Sequence, residues 1–282
     1  MAFSILSLIN LLSPKDTGSR KVARNVVYGA GDRQKLDIYA PHGRSVPDAG
    51  WPVVFFIYGG SWSEGSRQDY DFVGRALSAL GFVVVIADYR LVPEVEYPGF
   101  LDDGVQAMMW VVDNITRHGG DPQRIALMGH SAGAYNAVML ALDPGLLARS
   151  GLLGNIGCVV GLSGPYDFFP FDGPITLRTF GAVREPMATQ PIHFVSPSAP
   201  PMFLATGSKD TLVYPRNTVA LAKRLGVVDC IVQERHYETL GHPGTLLALG
   251  RPARAIAPVL KEVGAFLHHH LERKVVLQGQ PA

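Results

Sequence analysis

Arg124-Ile125-Ala126-Leu127-Met128-Gly129-His130-Ser131-Ala132-Gly133 is the stretch on which the fold turns. Its first five residues are a short, mostly apolar run of the kind found in strands covered on both faces. They lead into a Gly-x-Ser-x-Gly pentad, and a helical pattern begins at Ala132. A strand delivered into a helix through so sharp a turn strains the serine backbone. Glycines on either side remove side chains that would clash, leaving the hydroxyl above the sheet edge. The helix behind it aims backbone N–H groups at negative charge that develops there. The bare pentad is common by chance, and its placement between strand and helix is what gives it weight.

On either side of this stretch, similar runs occur at residues 52–57, 82–87, 157–162 and 202–206. Amphipathic stretches separate them. Residues 70–80 place Phe72, Val73, Ala76, Leu77 and Leu80 on one helical face, and residues 101–116 do the same with Val105, Met108, Met109, Val112 and Ile115. Gly81 and Gly119 follow the last turns, where a left-handed residue commonly closes a helix. This alternation predicts an α/β fold, a mostly parallel central sheet with helices on both faces. Ahead of it, residues 21–28 and 35–39 read as an antiparallel hairpin turned at Gly29, Gly31 and Asp32. A final run, 230–236, precedes the last helices. Residues 164–201 break the rhythm with many prolines and with Tyr166, Phe168, Phe169, Phe171 and Phe180. They read as a cap-like insertion in a single domain spanning 1–282, rather than as a second domain.

The bulk composition narrows the partner. A chain of 282 residues with 47% hydrophobic content buries a large core. Its 25 basic and 24 acidic residues leave a net charge of +1, so no global field favours nucleic acid or an anionic membrane, and a small molecule is the expected partner. Cys158 and Cys230 form no metal or disulfide pattern and read as unpaired thiols suited to a reducing cytoplasm. Residues 1–12 are apolar but lack a basic leading region and a small-residue cleavage site, and they are too short to span a bilayer. Ser4, Ser7 and Asn10 recur every third residue, which predicts an amphipathic helix with a linker to residue 20. Its apolar stripe would rest on the body of the protein, over the site mouth, in a weak dimer contact or on a membrane.

An acyl-transfer serine needs donors for an oxyanion, and Phe56-Ile57-Tyr58-Gly59-Gly60-Ser61-Trp62 follows the first buried strand. Paired glycines let N–H groups turn inward, so Gly60, Ser61 and Ala132 are the expected oxyanion-hole donors. Asp210, in Gly207-Ser208-Lys209-Asp210, sits past the end of the strand at 202–206, on the edge where open α/β sheets gather their sites. Asp167 and Glu238 are rivals, but the first opens the aromatic insertion and the second lies in the loop carrying the base. That base is His242, in Leu240-Gly241-His242-Pro243-Gly244, in preference to His236 within an apolar strand. The chain order Ser131, Asp210, His242 is that of the α/β-hydrolase triad. Such a triad requires neither metal nor cofactor. His268, His269 and His270 fall inside a C-terminal helix and lack further ligands.

With these residues placed, the chain resembles the esterase/lipase branch of the α/β-hydrolase superfamily, the hormone-sensitive-lipase-like, feruloyl-esterase-like and arylformamidase-like group. The likeness runs over residues 36–267. Where that group usually reads His-Gly-Gly, this chain has Tyr58-Gly59-Gly60. The backbone supplies the donors, so the hole should survive the change. Asp88-Tyr89-Arg90, Tyr97-Pro98, Asp102-Asp103 and Gly119-Gly120-Asp121-Pro122 match the scaffold, with Arg90 expected to pair with a carboxylate and Asp121 to serve a turn or cap. The resemblance implies a serine carboxylesterase acting on small to medium esters, with arylformamidase or amidase activity, or a non-catalytic binding role, as alternatives. In that group residues 164–201 occupy the place of the lid and acyl pocket, and their aromatics read either as ordinary core or as the lining of an apolar substrate pocket, in which case Phe168 and Phe169, with Trp62 and Tyr135, are the expected substrate-binding residues.

Overall fold

The computed structural model describes residue 10 and residues 13–251 and 253–272. An eight-stranded sheet runs through them in the order β1-β2-β4-β3-β5-β6-β7-β8. The strands are β1 (Ser19–Val27), β2 (Lys35–Pro41), β3 (Trp51–Ile57), β4 (Val83–Ala87), β5 (Gly120–His130), β6 (Ile156–Leu162), β7 (Met202–Gly207) and β8 (Val232–Tyr237). β1 and β2 form the expected antiparallel hairpin, and β2 is antiparallel to β4. All other pairings are parallel, with Phe55 of β3 between Val85 of β4 and Leu127 of β5. Residues 53–56, 83–86 and 125–128 are buried throughout, which is why these strands lack polar alternation.

Among the described residues seven α-helices are formed: α1 (Asp71–Ala79), α2 (Gly99–Asn114), α3 (Ala132–Leu142), α4 (Pro174–Phe180), α5 (Arg216–Val227), α6 (Gly244–Leu247) and α7 (Val259–Leu271). α1 and α7 touch each other on one face, whereas α2, α3 and α5 pack on the other. α1 buries Phe72, Val73, Ala76 and Leu77 as its spacing predicts. Met109 departs from expectation at 49% exposure. The buried stripe of α2 follows Leu101, Gly104, Met108 and Val111, and Met109 lies one residue, about 100°, around the helix from it. α3 is buried along its whole length because the sheet lies on one side and the 164–201 segment on the other.

Two expectations about the ends of the chain need correction or limits. β8, read as an apolar run, is an edge strand whose Gln233, Arg235 and His236 are exposed, because the sheet leaves it with one neighbour. Of the amphipathic stretch 1–12, only Asn10 falls within the described residues; its side chain donates to Gln68 O and accepts from Phe72 N. Among the described residues no helix is long and apolar enough to cross a membrane.

Candidate active site

The site begins with the turn predicted from the pentad. Ser131 has φ 56° and ψ −127°, a strained conformation for a residue with a side chain. The strain is held from both sides: Ser131 N–H donates to Leu162 O at the end of β6, and Ser131 O accepts from Ala134 and Tyr135 in the first turn of α3. Gly133 is required by close approach, since a Cβ there would stand 2.0 Å from Ile57 O. α3 therefore starts directly against the end of β3, bringing the pentad beside the segment expected to hold the oxyanion.

That segment is strained as well. Gly60 has φ 123°, Ser61 φ 49° and Trp62 φ 57°. A Cβ on Gly60 would lie 2.2 Å from Glu64 O, so the turn accepts glycine alone. Gly60 O accepts from Ser63 N and Glu64 N, while the N–H groups of Gly60 and Ser61 meet no acceptor among the described residues. Ala132, the first residue of α3, likewise has no intrahelical acceptor for its N–H. Tyr58, which stands where the resembled family has histidine, is fully buried and stacked between Tyr70 and Tyr89 at 5.2 and 5.0 Å. Its hydroxyl donates to Asp88 Oδ1 at 2.8 Å and accepts from Arg33 Nη2 at 2.8 Å, and Arg33 also donates to Gly65 O. Burial, then the Asp88 charge, pushes the Tyr58 pKa well up, so it stays a neutral donor. Arg67 pairs with both Asp88 and Asp37, tying the base of the loop to the hairpin. Arg33, Arg67 and Asp88 thus serve the loop together; Asp88 stands in the Asp88-Tyr89-Arg90 stretch that matches the scaffold, whereas no local pattern marks Arg33 or Arg67.

The three residues singled out for proton handling form one line. His242 Nε2 is 2.9 Å from Ser131 Oγ, and His242 Nδ1 is 2.8 Å from Asp210 Oδ2. The Asp210 side chain is fully buried, and its Oδ1 accepts from Leu212 N and Val213 N at 3.0 and 2.9 Å. Burial alone would raise its pKa, but the bonds from His242 and the two backbone N–H groups outweigh that and hold the carboxyl below the usual range. Asp167 and Glu238 take no part in the line, and His236 pairs instead with Glu234 at 2.6 Å. His130, unremarked in the sequence beyond its place in the pentad, contacts the base loop: its Nε2 lies 3.0 Å from His242 O. Burial, then the neighbouring His242, pushes the His130 pKa down to about 3. The ring is therefore neutral, and the carbonyl fixes the proton on Nε2.

Ser131 and His242 open onto a cavity of about 310 Å³ that Gly60 and Ser61 also border, with Tyr70, Leu212, Pro243 and Leu246 as its apolar walls. This differs from the expected lining. Trp62 and Tyr135 are 4% and 0% exposed and belong to an aromatic core with Phe100 and Phe180. Phe168 packs on that core, and Phe169 points outward at 44% exposure against Phe171. The reason is polar as well as apolar: Trp62 Nε1 donates to Asn136 Oδ1, and Tyr135 Oη donates to Thr189 O, turning both rings away from the cavity. Arg90 pairs with Asp103 at 2.7 Å, and Asp121 accepts from Gln123 N and Arg124 Nε, the scaffold roles expected of them.

The sequence profile of the BD-FAE family matches residues 36–225. The chain belongs to the BD-FAE family. This places it in the esterase/lipase branch of the α/β-hydrolase superfamily. Ser131 and Asp210 lie inside the matched span, and His242 lies beyond it. Among curated relatives, isoprenylcysteine alpha-carbonyl methylesterase ICME of Arabidopsis thaliana is 35% identical over 156 residues, 54% of this chain and 36% of that one. Esterase LipC of Mycobacterium tuberculosis is 31% identical over 264 residues, 85% of this chain and 65% of that one. The chain thus spans about a third of the length of the first and just under two thirds of the second. A solved carbohydrate esterase from gut microbiota, in truncated form, superposes with TM-score 0.79 over 93% of this chain and 99% of that one at 20% identity, a likeness of fold.

Proposed function

We propose that this BD-FAE family chain is a cytoplasmic serine carboxylesterase, a single α/β-hydrolase domain that hydrolyses small to medium esters through an acyl-enzyme on Ser131. The observation that carries the reading is the unbroken line from Asp210 through His242 to Ser131 Oγ, which ends at a cavity bordered by unengaged N–H groups. The relatives named esterase support the same chemistry.

In this mechanism His242 Nε2 takes the Ser131 proton as Oγ attacks the ester carbonyl carbon. The carbonyl π electrons move onto oxygen, where the N–H groups of Gly60, Ser61 and Ala132 receive the charge. Asp210 stays ionised, holds the Nδ1–H tautomer and stabilises the imidazolium. His242 then returns the proton to the departing alkoxide as the C–O bond breaks. Water, deprotonated by the same nitrogen, attacks the acyl-enzyme carbonyl carbon; the C–Oγ bond then breaks, His242 returns the proton to Ser131 Oγ and the acid leaves. Each oxyanion donor is worth ~10²–10³ in rate, so the strain held in the Gly60 turn has a function to match it. Tyr70, Leu212 and Leu246 give the acyl or alcohol group an apolar wall, and the cavity of about 310 Å³ suits a small to medium ester.

The test is hydrolysis of nitrophenyl esters from two to sixteen carbons by the purified protein, with Ser131→Ala as control and fluorophosphonate labelling in parallel. Turnover and labelling that both vanish in Ser131→Ala are expected, with esters cleaved faster than N-formyl aromatic amines. Turnover unchanged in Ser131→Ala overturns the proposal.

A further inference from the structure

We infer that the chain carries a second site, at the opposite end of the sheet from Ser131, that binds a free small molecule bearing two or more phosphate groups. A cavity of about 580 Å³ opens there, and its border includes Arg20, Arg44, Arg117, His42, His118 and Trp51. No Asp or Glu borders it. It lies where β2 ends at Pro41, β3 begins at Trp51 and β5 begins at Gly120. Ser131 follows the other end of β5, and β3 alongside runs from Trp51 opposite Gly120 to Ile57 opposite Gly129, so roughly 20 Å at ~3.3 Å per residue separates the two sites.

The arginines are uncommitted. Arg33, Arg67, Arg90 and Arg124 each pair with a carboxylate or donate to backbone carbonyls. The side chains of Arg20, Arg44 and Arg117 make no ion pair or hydrogen bond among the described residues. Like charge crowds there without relief: burial, then the Arg117 cation, pushes the His118 pKa down. In a chain of net charge +1, three unpaired guanidinium groups around one concavity are a local feature rather than a consequence of composition. The N–H groups of Gly43, Arg44 and Ser45, in the loop that forms one wall, also meet no acceptor among the described residues. Planar guanidinium forks match phosphate oxygens two at a time, and three of them spread around a cavity of about 580 Å³ can hold more than one phosphate, which favours a di- or triphosphate. The volume falls in the range of small-molecule sites, and Trp51 gives the wall an aromatic face.

Titration calorimetry with inorganic tripolyphosphate at constant ionic strength tests this on the full chain, with sulfate as the control anion and sedimentation with phosphatidylglycerol vesicles as a second arm. One tripolyphosphate per chain is expected, with sulfate at least about tenfold weaker. Arg44→Gln/Arg117→Gln should weaken tripolyphosphate by about tenfold or more, and Arg44→Lys/Arg117→Lys should weaken it less, because charge is kept and the fork lost. All variants should keep wild-type ester turnover, which reports their folding and keeps this test separate from the esterase reading. Equal affinity in wild type and the Gln variant, no preference over sulfate, or binding to the vesicles without binding to free tripolyphosphate overturns the proposal.

Discussion

Gly60 and Ser61 border the cavity of Ser131, whereas Trp62, the next residue, turns back into an aromatic core with Tyr135 and Phe180. The two regions share one strained loop and hold it in opposite ways. On the cavity side N–H groups are left without partners, as a site awaiting negative charge requires. On the core side the rings pack at 4.9 to 5.5 Å, Trp62 Nε1 is bonded to Asn136 and Trp62 O accepts from Val92 N. Unfavourable φ angles persist only where packing over-determines them, so the core keeps the hole open. Aromatic residues near a reactive serine are therefore not automatically substrate residues.

Asp210→Asn should separate the two sides most strongly. Its carboxylate fixes the His242 tautomer, so kcat should fall by ~10⁴ with little change in melting temperature, as read by steady-state kinetics beside calorimetry. A fall of less than tenfold would place Asp210 outside the proton line.

Phe180→Ala cuts the other side. A fully buried ring replaced by methyl should cost roughly 3–5 kcal/mol in denaturant unfolding, while kcat of the folded fraction falls less than tenfold. A shift in ester chain-length preference without loss of stability would instead make Phe180 a pocket residue.

His130→Gln probes the bond between the two loops. The folded state holds the His130 pKa at about 3, below the unfolded value near ~6.5, so the unfolded chain takes up the proton first as pH falls. The stability this residue confers is complete above pH ~6.5 and is lost progressively toward pH 3, by about 1.4 kcal/mol per pH unit within that window. The Gln variant keeps an N–H donor for His242 O and does not titrate, so its unfolding free energy should fall less steeply between pH 6 and 5. Parallel slopes would refute the assignment.

The smallest effects distinguish the two linings. Leu212→Ala, on a cavity wall but 67% exposed, should raise KM for longer acyl esters several-fold, whereas Phe169→Ser should leave every ester unchanged. The reverse pattern would restore the pocket that the aromatic insertion suggests.

Much of this site is legible in the chain. Ser131, Asp210 and His242 each follow the end of a strand, and their order alone fits the triad. Arg33 and Arg67, and the part that Asp88 plays behind Tyr58, are not legible, because they depend on a hairpin loop and separate segments meeting there. Nor is the edge position of β8, since Cys230 and Ile231 read as the start of a buried run and only pairing order leaves it one neighbour.

Near neighbours along the chain dictate the buried strands through unbroken apolar runs, the amphipathic helices through spacing, and the strained serine turn through flanking glycines. Long-range packing sets the rest: which way Trp62 and Tyr135 face, which residues wall the cavity, and which arginines go unpaired. Periodicity fixes the face of an element on which a side chain lies, but its partner comes from another part of the chain and is brought there only when the sheet and its helices assemble.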